Sequence, residues 1–234
     1  MPREAALTVA TRFVAERFPD ARWALLSDSV VTGRQTAGSD LDIVVLLPSG
    51  DPRPPFRASQ RFGGWPIETF VYDERSLNHY LMKELPGRRP VLNQMVASGI
   101  NIGENSTVHL DAVKMDCVRT LEAGPEPLTA EEREWARYRL TDLLDDLVHA
   151  TDAGERAVIA TTIWITAAEQ YLVLGNHWSG ASKWLIRQLR ATDAEFASRW
   201  LAARNDPARI AHEVLAALGG PLFDGYHATG ETPD

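Results

Sequence analysis

One cysteine, Cys117, occurs in 234 residues. An intramolecular disulfide is therefore impossible, and a chain of this length can bury enough apolar surface to fold without one. A reducing, cytoplasmic compartment is the expectation. Lysine is almost as scarce: Lys83, Lys114 and Lys183 are three of the 24 basic residues, leaving 21 arginines, a pattern expected of a GC-rich coding bias. Positive charge is short overall, with a net charge of -8 at pH 7 and a pI near 5.3. Nucleic-acid binding depends on clustered cations, so no nucleic-acid partner is expected. The six histidines are scattered and lack zinc spacing. No uninterrupted apolar run approaches the ~20 residues of a membrane span. The N-terminal stretch MPREAALTVATRFVAERF also lacks the apolar core of a signal peptide, so neither membrane nor export is expected. Phe62-Gly63-Gly64 and Leu218-Gly219-Gly220 are not dinucleotide fingerprints, because no strand–glycine–helix unit surrounds them.

What is present divides into two halves. Ala6, Val9, Ala10, Phe13 and Val14 recur at helical spacing, predicting a helix over 4–18. ARWALLS (21–27) reads as a buried strand and LDIVVLL (41–47) as a second, ended by the proline-rich loop 48–55. WPIETFVYD (65–73) predicts a third strand, with Glu68, Phe70 and Tyr72 on one face and Ile67, Thr69 and Val71 on the other. Two helices are expected near 75–84 and 90–98, then a short strand within 100–108. The Gly/Pro-containing stretch 122–132 marks a boundary, and Thr129 with Glu132 has capping-box spacing for a helix that follows. Helices are expected at 130–150, 154–174, 181–191, 193–203 and 207–218. The second of these is apolar on nearly every face, as a central bundle helix should be, with Gly175 and Asn176 at its end. The expectation is an α+β fold: a mixed sheet with flanking helices over 1–124, then a helical bundle over 125–234. Cys117 reads as a small buried residue, Trp164, Trp178 and Trp184 as core, and the tail 227–234 as frayed.

Two carboxylates stand where the second strand begins. Asp40 and Asp42 flank Leu41, so on a strand they share a face. Like charges held that close repel unless a cation lies between them. Hard oxygen donors suit magnesium or manganese, which bind one or two carboxylates together with substrate phosphates. In isolation such a pair is also an ordinary turn, with Asp40 capping backbone amides. Glu68 changes the balance, because adjacent strands would let it stand beside both aspartates. Three carboxylates from two strands make a cradle for in-line displacement at phosphorus.

With these residues in view, the segment 20–75 resembles the polymerase-β-like nucleotidyltransferase superfamily. Its signature is a Gly-Ser turn, about ten residues, an Asp-x-Asp on a strand and a third carboxylate on a later strand. Here Ser29, ten residues, Asp40-Leu41-Asp42 and Glu68 follow that pattern, and Gly33 falls where many small members carry another glycine. The resemblance implies metal-dependent transfer of a nucleoside monophosphate, AMP from ATP, to an acceptor. It implies Asp40 and Asp42 as ligands of Mg2+ or Mn2+, Glu68 as third ligand or general base, and Ser29 at the triphosphate. Asp28 departs from the pattern, standing in place of the motif glycine. At ~4 Å and an effective dielectric of ~20, a charge there would repel a phosphate by on the order of 4 kcal/mol. It turns to solvent, binds a cation, or weakens triphosphate binding.

In the helical half, Lys183 follows a Ser-Gly-Ala-Ser loop at a predicted helix start, a place for a phosphate contact, as in the antibiotic-modifying members of the superfamily. A surface lysine is the plain alternative. Glu169 is a lone acid in an apolar helix, so it either pairs within the core or faces a cleft and meets the acceptor. Asp145, Asp146, Glu155 and Glu169 would suit a cationic small molecule, such as an aminoglycoside-like antibiotic. Two other readings stand beside this enzyme: an antitoxin-like or regulatory fold member acting on a protein partner, and a ligand-binding member whose catalysis is impaired by Asp28.

Overall fold

The most apolar strand of the chain lies at the centre of its sheet. The structure, a computed structural model, describes residues 3–27, 31, 33, 38–103 and 108–229. They divide into two compact units, 1–123 and 124–234. The fold is of the α+β class.

In the first unit a helix α1 (Arg3–Arg17) precedes strands β1 (Trp23–Ser27), β2 (Leu41–Leu46), β3 (Phe56–Phe62) and β4 (Trp65–Tyr72). Helices α2 (Glu74–Lys83) and α3 (Val91–Ser98), a two-residue strand β5 (Ile100–Asn101) and helix α4 (Val108–Ala123) complete it. The sheet order is β3-β4-β2-β1-β5, with β2 and β4 parallel and the other neighbours antiparallel. Leu41, Ile43, Val45 and Leu47 pack with Ala6, Ala10, Phe13 and Val14 of α1. Val44 and Leu46 meet Leu77, Leu92, Val96, Leu110 and Cys117 of α2, α3 and α4 on the opposite face. Burial on both faces explains why β2 reads as a continuous apolar run after Asp42. Cys117 is buried there, and that burial pushes its thiol up to about 11.

Three elements depart from the sequence reading. Strand β3 was not expected: its residues are polar and mostly exposed, as an edge strand permits. It joins β4 through Gly63-Gly64, both at positive φ (57° and 85°), the two-residue hairpin turn that glycine favours. A Cβ at Gly63 would also come within 3.0 Å of Val9 Cγ1. The strand expected within 100–108 shrinks to Ile100–Asn101, and Val108 already begins α4. Leu110 and Cys117 are the buried residues of α4, too few to give a strong helical signature.

The second unit holds α5 (Ala130–His149), α6 (Ala153–Leu174), α7 (Lys183–Thr192), α8 (Ala194–Ala202), a 3-10 turn (Ala203–Asn205) and α9 (Pro207–Leu218). The capping box forms: Thr129 Oγ1 accepts from Glu132 N at 3.1 Å, and Glu132 Oε2 accepts from Thr129 N at 2.8 Å. Leu140, Ile163, Ala167, Leu172, Leu189, Phe196 and Ala211 build one core. Trp164 and Trp200 stack with centroids 3.9 Å apart, each indole donating to the other's backbone carbonyl at 2.8 and 2.7 Å. Gly175 ends α6 and Asn176 follows at φ 57°. Although α6 is long and apolar enough to cross a membrane, it contributes Ile163, Ala167, Ala168 and Leu172 to this core. It is not buried all round, since Val158 and Ile165 are exposed. An apolar stripe here coexists with a solvent-facing one, which composition alone does not separate. The tail is described only to residue 229.

Candidate metal centre

Strand register brings the acids together. Asp42 lies opposite Ser27 on antiparallel β1 and opposite Glu68 on parallel β4, and Glu68 lies opposite Ser59 on β3. Ser27, Asp42, Glu68 and Ser59 therefore form one polar row across four strands on a single face. The next row along the same face is Leu25, Val44, Phe70 and Arg57, apolar except at the edge. The acids thus stand where the hydrophobic interior stops, which explains carboxylates at the mouth of a buried strand.

One oxygen each from Asp40, Asp42 and Glu68 lies within 4.8 Å of the other two, and all three residues are half-buried. Among the described residues this is the one such group of metal-donor side chains. Three hard oxygen donors match the chemistry of Mg2+ or Mn2+ rather than of a thiolate- or imidazole-seeking metal. The donor set fits a divalent cation, and without one three like charges share a small space.

The surroundings hold one of these carboxylates, Glu68, at both of its oxygens. Arg57 Nη2 donates to Glu68 Oε2, and Ser59 Oγ donates weakly to Glu68 Oε1 at 3.4 Å. The Arg57 guanidinium also lies over the Phe70 ring, 4.7 Å from its centroid. Beside Asp42, Ser27 Oγ turns away and donates to Met95 O of α3 at 2.8 Å. Gly99 packs against that end of β1: a Cβ there would lie 2.9 Å from Ser27 Oγ and 2.8 Å from Met95 O. Lys114 Nζ donates to Gly99 O at 2.7 Å and secures the same corner. Tyr72, further along the Glu68 face of β4, has its phenol pushed up to about 12 by burial, with Glu84 and Tyr80 adding to the effect. It stays neutral near pH 7 and is not a base.

The remaining sequence candidates fall elsewhere. Asp28 and Ser29 lie outside the described residues. Gly33 adopts φ 70°, a left-handed conformation that glycine favours, with open space where a Cβ would sit. Lys183 is the exposed first residue of α7, behind Ser182 at φ 52°. Glu169 is half-buried on α6 and does not lack an interaction partner. Asp146 and Glu155 line a depression of about 580 Å³ in the second unit, together with His149, Val158 and Ile159. Sequence reasoning missed Arg57 and Ser59, because it missed β3. The signal that finds them is Gly63-Gly64 between two strand-like stretches.

No family model matches the chain, and no curated protein does. Among solved structures, the chain is similar to a nucleotidyltransferase-like protein from Exiguobacterium sibiricum, at 14% identity, over 93% of this chain and 73% of that one, with a TM-score of 0.41. At that TM-score the likeness carries no weight for function, which has to be read from the residues themselves.

Proposed function

We propose that this protein is a metal-dependent nucleotidyltransferase that moves AMP from ATP to a hydroxyl of a small, cationic molecule, of which an aminoglycoside-like antibiotic is one candidate. The observation that carries this reading is the convergence of Asp40, Asp42 and Glu68 from adjacent, register-paired segments to within 4.8 Å. The family signature around them, Ser29 and ten residues before Asp40, gives independent support.

Asp40 and Asp42 would hold the divalent cation, with Glu68 as third ligand or as the base that takes the acceptor's proton. The cation, when bound, supplies neutralisation for the triphosphate and the departing pyrophosphate. The acceptor oxygen forms a bond to the α-phosphorus while the bond to pyrophosphate breaks, and the acceptor's proton leaves to Glu68 or to water. Seating Asp42 and Glu68 on paired strands, with Asp40 one residue before β2, holds the acids in geometry before substrate arrives, which lowers the cost of ordering them during reaction. The loop carrying Ser29 would meet the triphosphate. On the family resemblance, Lys183 would be a phosphate contact and Glu169 a contact to a cationic acceptor. The net charge of -8 favours a cationic small molecule over a nucleic acid.

Calorimetric titration of ATP tests the reading. Binding should require Mg2+ or Mn2+, vanish in EDTA, and be lost in Asp42→Asn. ATP binding that ignores the metal, or an Asp42→Asn variant that binds ATP as the parent does, overturns it.

A further inference from the structure

The third carboxylate of the cluster is already held by a cation that the chain itself provides. Arg57 donates to Glu68 Oε2 and rests over Phe70, while Ser59 takes the other oxygen. Arg57 lies opposite Phe70 and Ser59 opposite Glu68, so Arg57 reaches diagonally across the β3–β4 ladder to the acid. An arginine–glutamate pair on an edge strand is common and contributes little to stability when exposed. The Arg57 side chain is 60% exposed and that of Glu68 26%. The location makes this pair different. Its acid partner shares a 4.8 Å space with two more carboxylates, and one guanidinium N–H occupies a lone pair on Glu68 Oε2 that a divalent cation would otherwise use.

We propose that Arg57 is a positioning residue that competes with the divalent cation for Glu68, and so sets how tightly the centre holds metal. This rests on reading the three acids as a metal centre. Without metal, Arg57 offsets part of the mutual repulsion of the acids and holds Glu68 in place. When a cation arrives, Glu68 exchanges the guanidinium for it, and Arg57 remains anchored over the Phe70 ring. The centre is thereby kept from binding a bare cation too tightly, and full occupancy depends on the additional oxygen donors that a triphosphate brings.

β3 supplies its own control. Arg57, Ser59 and Arg61 are two residues apart and share a face, so Arg57 and Arg61 flank Ser59 on either side. Arg61 lies opposite Pro66 rather than beside Phe70. Deleting it removes one positive charge from the same strand without removing the Glu68 contact. Free Mn2+ is measured by electron paramagnetic resonance over the full-length chain, without nucleotide, for the parent, Arg57→Ala, Arg57→Gln and Arg61→Ala. Folding of each is checked by circular dichroism, and Arg57→Gln keeps most of the side-chain stem should the alanine disturb the edge. The expected result is Mn2+ binding about fivefold tighter in both Arg57 variants, equivalent to about 1 kcal/mol, with Arg61→Ala within twofold of the parent. Equal tightening in Arg57→Ala and Arg61→Ala would mean general charge and not competition, and overturns the proposal. Unchanged or weaker binding in the Arg57 variants overturns it as well. If neither the parent nor the Arg57 variants bind Mn2+, the metal-centre reading itself falls, an outcome distinct from the other two.

Discussion

Replacing Asp42 by asparagine should stabilise the protein without metal and destabilise it, relative to the parent, with metal. The oxygens of Asp40, Asp42 and Glu68 lie within 4.8 Å of one another. At that distance two unit charges repel by about 3.5 kcal/mol at an effective dielectric of ~20, and by about 0.9 kcal/mol in bulk water. Asp42→Asn relieves two such repulsions. The acids are half-buried and Arg57 already offsets part of the Glu68 charge, so the lower end of that range applies. A net gain of about 1 kcal/mol is expected, or roughly 3 °C in Tm. With metal at about 100 times its Kd, the parent gains about 2.7 kcal/mol by mass action, and a variant short of one ligand gains less. The order of the two proteins should therefore invert between thermal melts in EDTA and in MnCl2, followed by circular dichroism. A variant that melts below the parent by the same margin in both buffers would show Asp42 to be a structural hydrogen-bonding residue. The like-charge reasoning would then be wrong.

Two further predictions concern the frame around the centre. Glu84 Oε2 accepts from Leu92 N at 2.7 Å, and burial, the larger effect, raises its carboxyl above the usual 4.5. A raised folded-state value means that its contribution to stability is fully present below the unfolded value and is lost as pH rises through the folded one. Glu84→Gln keeps an acceptor for Leu92 and removes the buried charge, so it should raise Tm at pH 7 and leave it nearly unchanged at pH 4. A larger gain at pH 4 would reverse that sign. Gly99→Ala should cost about 1–3 kcal/mol in urea unfolding, because its Cβ would lie 2.8 Å from Met95 O and 2.9 Å from Leu25 Cβ. Its φ of -61° suits any residue, so space and not backbone conformation sets the cost. A neutral Gly99→Ala would mean that this corner yields freely.

What was legible in the sequence was whatever burial writes into it. β2 shows its place as an unbroken apolar run after Asp42, and β4 shows its two faces by alternation, which put Glu68 on the side opposite Ile67 and Val71. The three acids could be grouped on that basis alone. β3 was illegible because an exposed edge strand carries polar residues on both faces and leaves no period. Without β3, the partners of Glu68 were invisible, and so was the reason why β2 and β4 run parallel: the chain must return through a hairpin before it pairs. In α4, Val108 falls within the stretch that reads as a strand, while two buried residues in sixteen leave the helical repeat faint. In α6 the opposite occurred: uniform apolar composition suggested burial all round, yet the helix turns Val158 outward.

The Gly63-Gly64 turn bears on more than the shape of a hairpin. Side chains alternate along a strand, so inserting one residue into that turn would shift β3 by one step against β4 and exchange its faces. Arg57 and Ser59 would pass to the α1 side of the sheet, and Ala58 and Gln60 would take their places near Glu68. The three acids would be untouched in sequence and position, yet the guanidinium would be gone from their midst. A two-glycine spacer thus decides whether the cluster has a resident counter-charge, and a change in loop length could retune the centre's affinity for cations while every carboxylate stays the same.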